Sequence, residues 1–211
     1  MTEIDKKNFK NYLYCTFGIT YIAWGLLAIF TQSHILGLET FIGRMLHIVG
    51  ALGPAIASII YFKRNNIKFK HFLFSKKENS SIYLIIHLLA ILILFSVSSL
   101  ELNGVSIYLM PLFFIQLIFF GGGHEELGWR GILQLLLDKK YTYWQSNLMV
   151  GSIWGMWHLP LWFIVGESHQ GSPFILFFIY TLFLSFVLGL LYRQTKSVGY
   201  CIIFHSFANL L

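Results

Sequence analysis

Charge is what this sequence has least of. Only 11% of its 211 residues are Asp, Glu, Lys or Arg, while 56% are hydrophobic; a soluble domain carries about 25% charged residues. That excludes an ordinary water-soluble globule and points to an integral membrane protein, in keeping with a mean hydropathy of +0.68. Acidic residues are the scarcest, nine against fifteen Lys and Arg, for a net charge of +6. Such an excess can mark a nucleic-acid binder, but here the basic residues fall between apolar runs, a pattern of membrane topology. No nucleic-acid partner is expected. Cysteine is limited to Cys15 and Cys201, both in apolar runs and neither in a CxxC pair. They read as small packing residues, not as a disulfide or redox site. With four prolines and no Pro/Gly/Ser-rich stretch longer than a turn, there is no linker, and residues 1–211 form one membrane domain. An HExxH zinc signature is also absent. So is a small-residue cleavage site after the first apolar run, so Lys6, Lys7 and Lys10 precede a retained helix and not a signal peptide.

What the sequence has in quantity is long apolar runs. A hydrocarbon core of about 30 Å takes about 20 apolar residues per helix. Spans are predicted near Asn11–Thr31, Phe41–Phe62, Ile82–Leu100, Val105–Leu137, Tyr143–Val165, Pro173–Tyr192 and from Val198 to the end. The fold class is therefore all-α, a polytopic bundle of about seven transmembrane helices. With the N-terminus cytoplasmic, 13 of the 15 basic residues lie inside, in the N-terminal segment and the second, fourth and sixth connections. The positive-inside rule is then met at every loop. Arg44 and Arg130 are the exceptions, and the outer connections carry Glu39, Glu101 and Glu167 but no lysine. The second connection, FKRNNIKFKHFLFSKK, fits an interfacial segment on anionic lipid and a plain topogenic loop equally well. A small chain rich in lysine and isoleucine suggests a bacterial plasma membrane.

Against this apolar background stands Gly121–Arg130, GGGHEELGWR. Ionisable groups at membrane depth cost about 2.5–3.5 kcal/mol each on insertion scales and usually serve function. The fourth segment, at 33 residues, would extend about 50 Å as one helix, and the triple glycine is the natural break. Irregular backbone at that depth must be buried or line a wet cavity; close packing through small residues explains the glycines equally well. Glu126 and Arg130 are four apart and share a helix face, so they can pair, leaving Glu125 free for another task. His124 has no assigned chemistry and reads as structural.

Two further segments carry polar groups. His158 lies mid-helix in SIWGMWHLP, where Trp154 and Trp157 read as packing or cavity-lining residues. In IIFHSFANLL, His205 and Asn209 are again four apart; a pair of this kind serves either as interhelical glue or as part of a site. Counted from the cytoplasmic end at 1.5 Å per residue, His205 lies about 12 Å deep, Glu125 about 20 Å and His158 about 21 Å. Three helices thus place His, Glu, His and Asn in overlapping layers, a first requirement of an active site. Counted this way, the site is expected to be reached from the cytoplasmic side.

The order EExxxR, aromatic-xxx-His and HxxxN on successive apolar segments resembles the CPBP family, the CAAX proteases and bacteriocin-processing enzymes also called Abi. The matching stretches are Glu125–Arg130, Trp154–His158 and His205–Asn209, in a motif-bearing half at about residues 105–211. Two features depart from the family pattern. Trp154 stands where phenylalanine is usual, and the chain stops two residues after Asn209, where relatives usually continue the helix. On that ground a C-terminally truncated product is expected.

The resemblance implies an intramembrane endopeptidase that cleaves a peptide or protein near the cytoplasmic leaflet with glutamate-activated water. Glu125 would be the general base, with His158 holding the water. Glu126 paired with Arg130 would orient the base, and His205 and Asn209 would stabilise the oxyanion. No cofactor is favoured; in a zinc-dependent variant Glu125, His158 and His205 would be the ligands. Substrates would be a prenylated tail, a peptide pheromone or a bacteriocin precursor, met in the lipid bilayer. The rival reading is a non-catalytic scaffold or bacteriocin-immunity protein that keeps the fold. A proton-coupled carrier would also use such groups, but carriers of that kind usually show an internal repeat, and none is evident here.

Overall fold

The computed structural model describes residues 1–74, 77–97 and 108–211, so the expectations for Lys76, Glu101 and the segment 98–107 lie outside the described residues. Among the described residues every regular element is a helix. The chain runs through α1 (Glu3–Gln32), α2 (Phe41–Ala51), α3 (Gly53–Arg64), the short α4 (Phe69–Phe74), α5 (Ser81–Val97) and α6 (Met110–Phe120). A composite segment follows: a 3-10 turn (Gly123–Glu125), α7 (Glu126–Gly128), a π-helical stretch (Trp129–Gln134) and α8 (Leu135–Leu137). Then come α9 (Tyr143–Trp157), a 3-10 helix (Leu159–Phe163), α10 (Phe174–Thr195) and α11 (Val198–Ala208). This is a helical membrane protein. Glu3–Gln32 and Phe174–Thr195 are each long and apolar enough to cross a bilayer, and α2 with α3 forms a third candidate if the bent pair counts as one span.

Three of the predicted spans are interrupted, one where the sequence predicts a break and two where it does not. The second bends by 50° between α2 and α3, because Gly53-Pro54 opens a new helix there and Pro54 has no N–H to continue the old one. The fourth breaks at the triple glycine, as expected, with Gly122 at φ +108°. The fifth ends at Trp157, so His158 is not mid-helix but caps α9, two residues before Pro160.

α1 is the prop against which these breaks are set. Thr20 donates to the Gly50 carbonyl at 2.7 Å and accepts from the Trp157 indole at 2.7 Å. Trp24 donates to the His47 carbonyl at 2.9 Å, next to the α2–α3 bend. A Cβ on Gly50 would stand 2.2 Å from Trp24 Nε1, and one on Gly53 the same distance from Thr20 Oγ1. Small residues thus bring α1 onto both halves of the bent span, the way helices associate without a hydrophobic drive. α9 and α10 pack antiparallel in the same manner, with Gly151 on Leu182 and Ser185 and Gly189 on Asn147.

The bundle has two chemically distinct ends. At one, Lys139 pairs with Asp5 at 2.6 Å, Arg193 lies over the Tyr143 ring at 5.7 Å, and the Lys77 amide donates to the Thr195 carbonyl at 3.1 Å. At the other, Gln32 donates to Phe163 at 2.7 Å, the Val165 amide donates to Thr31 at 3.1 Å, and His47 meets Glu167 at 3.2 Å.

Asp5 sits at the basic end, ahead of the membrane-spanning part of α1. The Lys139 ammonium, with Thr2 bonded to the same carboxyl, holds it at about 2, below the usual 3.8. A depressed carboxyl stabilises the fold above its unfolded value and loses that contribution as pH falls through the folded one. Thermal unfolding in detergent should therefore show wild type more stable than Asp5→Asn at pH 6. The gap should close as pH falls from about 4 towards about 2; a pH-independent gap would contradict the pairing.

Candidate active site

The break at Gly121–Gly123 lets the chain turn beside α11. Gly122 lies in a backbone region that L side chains rarely adopt, and a Cβ there would stand 2.6 Å from Asn209 Nδ2 and 2.9 Å from His205 Nε2. Asn209 answers from the end of α11 by donating to the Gly121 carbonyl at 2.7 Å. Gly121 and Gly122 also line a cavity. The sequence left cavity wall and packing notch open for the glycines, and they serve as both. His124 turns away and bonds the Ala51 carbonyl at 3.0 Å, tying this break to the bend between α2 and α3.

Beyond the glycines the two adjacent glutamates diverge. Glu126 is fully buried with Arg130, whose Nη1 lies 3.1 Å from Glu126 Oε2. His205 Nδ1 reaches Glu126 Oε1 at 2.8 Å. A carboxylate can only accept, so Nδ1 carries the proton and Nε2 is left on the side of Gly122 and Asn209. Arg130 also donates to the Ser185 carbonyl at 3.2 Å and lies 5.3 Å from the Trp154 ring. One guanidinium therefore joins the motif segment to α10 and α9. A buried arginine without such partners would cost several kcal/mol.

Glu125 takes different neighbours. Its Oε2 accepts from the Trp154 indole at 2.7 Å and the Trp129 indole at 3.1 Å. Among the described residues no hydrogen bond is made to its Oε1, and Glu125 lines the cavity. Trp129 is four residues after Glu125, as Arg130 is after Glu126, so one stretch of helix presents two parallel pairs. The π-helical turn that begins at Trp129 widens the register here, a distortion often found at functional sites. Sequence reasoning gives no role to Trp129, and Trp154, read as packing or cavity-lining, does line the cavity but also bonds Glu125. The signal for Trp129 was its i+4 spacing from a membrane-buried carboxylate. Trp154 is the hub of the site: its ring centroid is 5.1 Å from that of His205 and 6.1 Å from that of His158.

His158 is set by its helix end. Its Nδ1 donates to the Trp154 carbonyl at 3.0 Å, so the neutral ring offers Nε2 as an acceptor. Trp157, packed on Trp24 at 4.9 Å and on Trp129 at 5.7 Å, backs the histidine. The expected residues thus converge: Glu125, His158, His205 and Asn209 all line one cavity of about 460 Å³. Glu126 and Arg130 stand behind it. Among the described residues no three His, Cys, Asp or Glu side chains are gathered to hold a metal ion. His205 Nδ1 is bonded to Glu126, His158 Nδ1 to the Trp154 carbonyl and Glu125 Oε2 to two indoles, so in the zinc-dependent variant the ligand atoms would be Glu125 Oε1, His158 Nε2 and His205 Nε2.

The cavity continues past His158 to His47, Glu167, Ser168 and His169. Glu167 accepts from Ser168 at 2.7 Å and from the His169 amide at 3.1 Å, and it meets His47 at 3.2 Å. Burial pushes this carboxyl up, but the bonds from His169, His47 and Ser168 outweigh it and hold the carboxyl below the usual range. Sequence reasoning placed Glu167 in a loop and gave it no role.

Comparison with known proteins adds to this geometry. Residues 106–211 match the family described as type II CAAX prenyl endopeptidase, Rce1-like. The chain is also 29% identical over 240 aligned positions to CAAX prenyl protease 2 of Methanococcus maripaludis, covering all of this chain and 86% of that protein.

If the two indoles position Glu125, removing one should act on turnover. Trp154→Phe keeps an aromatic ring but loses a hydrogen bond to a charged group, worth about 1.5–3 kcal/mol. Peptidase assays should show kcat lowered about ten- to a hundredfold with KM little changed. An unchanged kcat would remove Trp154 from the positioning of Glu125.

Proposed function

The chain belongs to the type II CAAX prenyl endopeptidase Rce1-like family, and on that premise we propose that it hydrolyses peptide bonds in the cavity shared by Glu125, His158, His205 and Asn209. The observation that carries the reading is the asymmetry of Glu125. Two indole N–H groups hold one oxygen, and no described group binds the other, which belongs to a cavity-lining side chain. That is the disposition a general base needs.

In the proposed reaction a water molecule lies between Glu125 and His158 Nε2. Glu125 takes its proton as the oxygen adds to the substrate carbonyl. Asn209 Nδ2 has a second hydrogen besides the one given to Gly121. With His205 it forms the donor side for the oxyanion, a role in which one donor is typically worth about 3 kcal/mol. The His205 contribution requires a proton on Nε2 while Nδ1 remains on Glu126. Glu125 then returns its proton to the leaving amine, and the C–N bond breaks. Glu126 and Arg130 orient these groups without touching substrate.

The same reading includes about seven spans with a cytoplasmic N-terminus, in a bacterial plasma membrane. Its candidate substrates are a prenylated tail, a peptide pheromone and a bacteriocin precursor. No step is routed through a metal ion.

The test is comparative peptidomics of cells carrying wild type or Glu125→Gln, with the purified proteins assayed on the peptides that differ. Loss of a general base should lower turnover by about 10²–10⁴. A cellular phenotype that survives Glu125→Gln undiminished would replace the protease with a non-catalytic scaffold or immunity protein. Activity lost on exhaustive chelation and restored by zinc would replace the metal-free mechanism.

A further inference from the structure

The cavity does not extend to the basic end of the molecule. Its lining passes from Glu125 and His205 through His158 to Glu167, Ser168 and His169. Those last residues belong to the end fixed by the Gln32–Phe163 and Thr31–Val165 bonds. Only the short 3-10 helix Leu159–Phe163 separates His158 from that loop. By contrast α9, 15 residues long and so about 22 Å, separates His158 from Lys139 and Lys140.

The lining residues that are exposed are Ser168, Phe120 and Tyr180. Ser168 is polar and lies on the loop, whereas Phe120 and Tyr180 lie on the flanks of α6 and α10. A second depression of about 510 Å³ adjoins the first and shares His47, Glu167 and Ser168 with it. The route out of the site is therefore continuous with that end of the protein.

The charge of the two ends fixes which is which. Among the described residues, twelve of the fourteen Lys and Arg residues lie on segments of the basic end. The Asp5–Lys139, Arg193–Tyr143 and Lys77–Thr195 contacts show that these segments share one face. The far end carries one described cation, Arg44, with Glu39 and Glu167. Short connections rich in Lys and Arg stay in the cytoplasm.

From these two facts we infer that the active-site cavity opens on the extracytoplasmic side of the membrane, in place of the cytoplasmic access expected from depth counted along the sequence. The inference rests on the reading of that cavity as the active site and specifies its substrate. The scissile segment is a peptide exposed at, or inserted from, the outer leaflet. Its extended polar part enters over Ser168, and its apolar part lies against Phe120 and Tyr180. An exported, membrane-anchored peptide fits this description; a lipidated tail held at the inner leaflet does not.

Single-cysteine accessibility tests it, with Cys15 and Cys201 replaced by serine and alanine. Ser168→Cys reports the cavity mouth, Ser33→Cys the far end and Lys7→Cys the basic end. A membrane-impermeant maleimide applied to intact cells should label Ser168→Cys and Ser33→Cys, and should label Lys7→Cys only after permeabilisation. The reverse pattern overturns the orientation. Labelling of Ser33→Cys while Ser168→Cys stays unlabelled in both states overturns the open mouth. Labelling as expected, with no peptide dependent on Glu125, would leave the orientation standing and remove the peptidase.

Discussion

A fully buried carboxylate shared between an arginine and a histidine holds the motif-bearing half together. Glu126 lies 3.1 Å from Arg130 and 2.8 Å from His205, and none of the three has more than a trace of solvent contact. Ions removed from water incur a desolvation cost of several kcal/mol each, which only close partners offset. Arg130 makes the arrangement wider than a pair, because it also binds the Ser185 carbonyl of α10 and lies against Trp154 of α9. Four segments are thereby committed to one geometry: the motif, α9, α10 and α11. Taking Glu126 away would leave the buried guanidinium without a counter-ion among the described residues.

With that interaction in place, adjacent and identical side chains acquire different work. Glu125 and Glu126 each have a partner four residues on, but the partners are an indole and a guanidinium. Glu126 is neutralised, while Glu125 is only oriented. The glycines make the remaining contact, since no side chain at Gly122 would let His205 and Asn209 approach so closely. Outside this centre, α1 acts as a brace: Thr20 and Trp24 fix both the bend of the second span and the end of α9 that presents His158.

Much of this was legible in the sequence, because intramembrane charge is too costly to be incidental. The EExxxR spacing indicated the Glu126–Arg130 pair, and the glycine run indicated the break before it. The separation of the two glutamates followed from the same spacing. Less legible were features that depend on interruptions of helix. Gly53-Pro54 lies in an apolar run that hydropathy alone reads as one span, and His158 was assigned to a helix that ends just before it. The indole donors of Trp154 and Trp129 were hidden for another reason. An indole is mostly hydrocarbon and reads as core, and its one donor gains meaning only when a buried carboxylate faces it. The cluster of His47 and Glu167 joins residues 120 positions apart, and no local pattern announces it.

The central claim is that Glu126 supports the structure and Glu125 carries the reaction. Thermal unfolding of the two single variants in the same detergent separates them most directly. Glu125→Gln keeps an oxygen able to accept from both indoles, so its Tm should stay near that of wild type. Glu126→Gln removes one partner of a buried ion pair, a change that costs about 3–5 kcal/mol, and its Tm should fall sharply. Equal losses in the two variants, or a Glu126→Gln protein as stable as wild type, would contradict that division of labour.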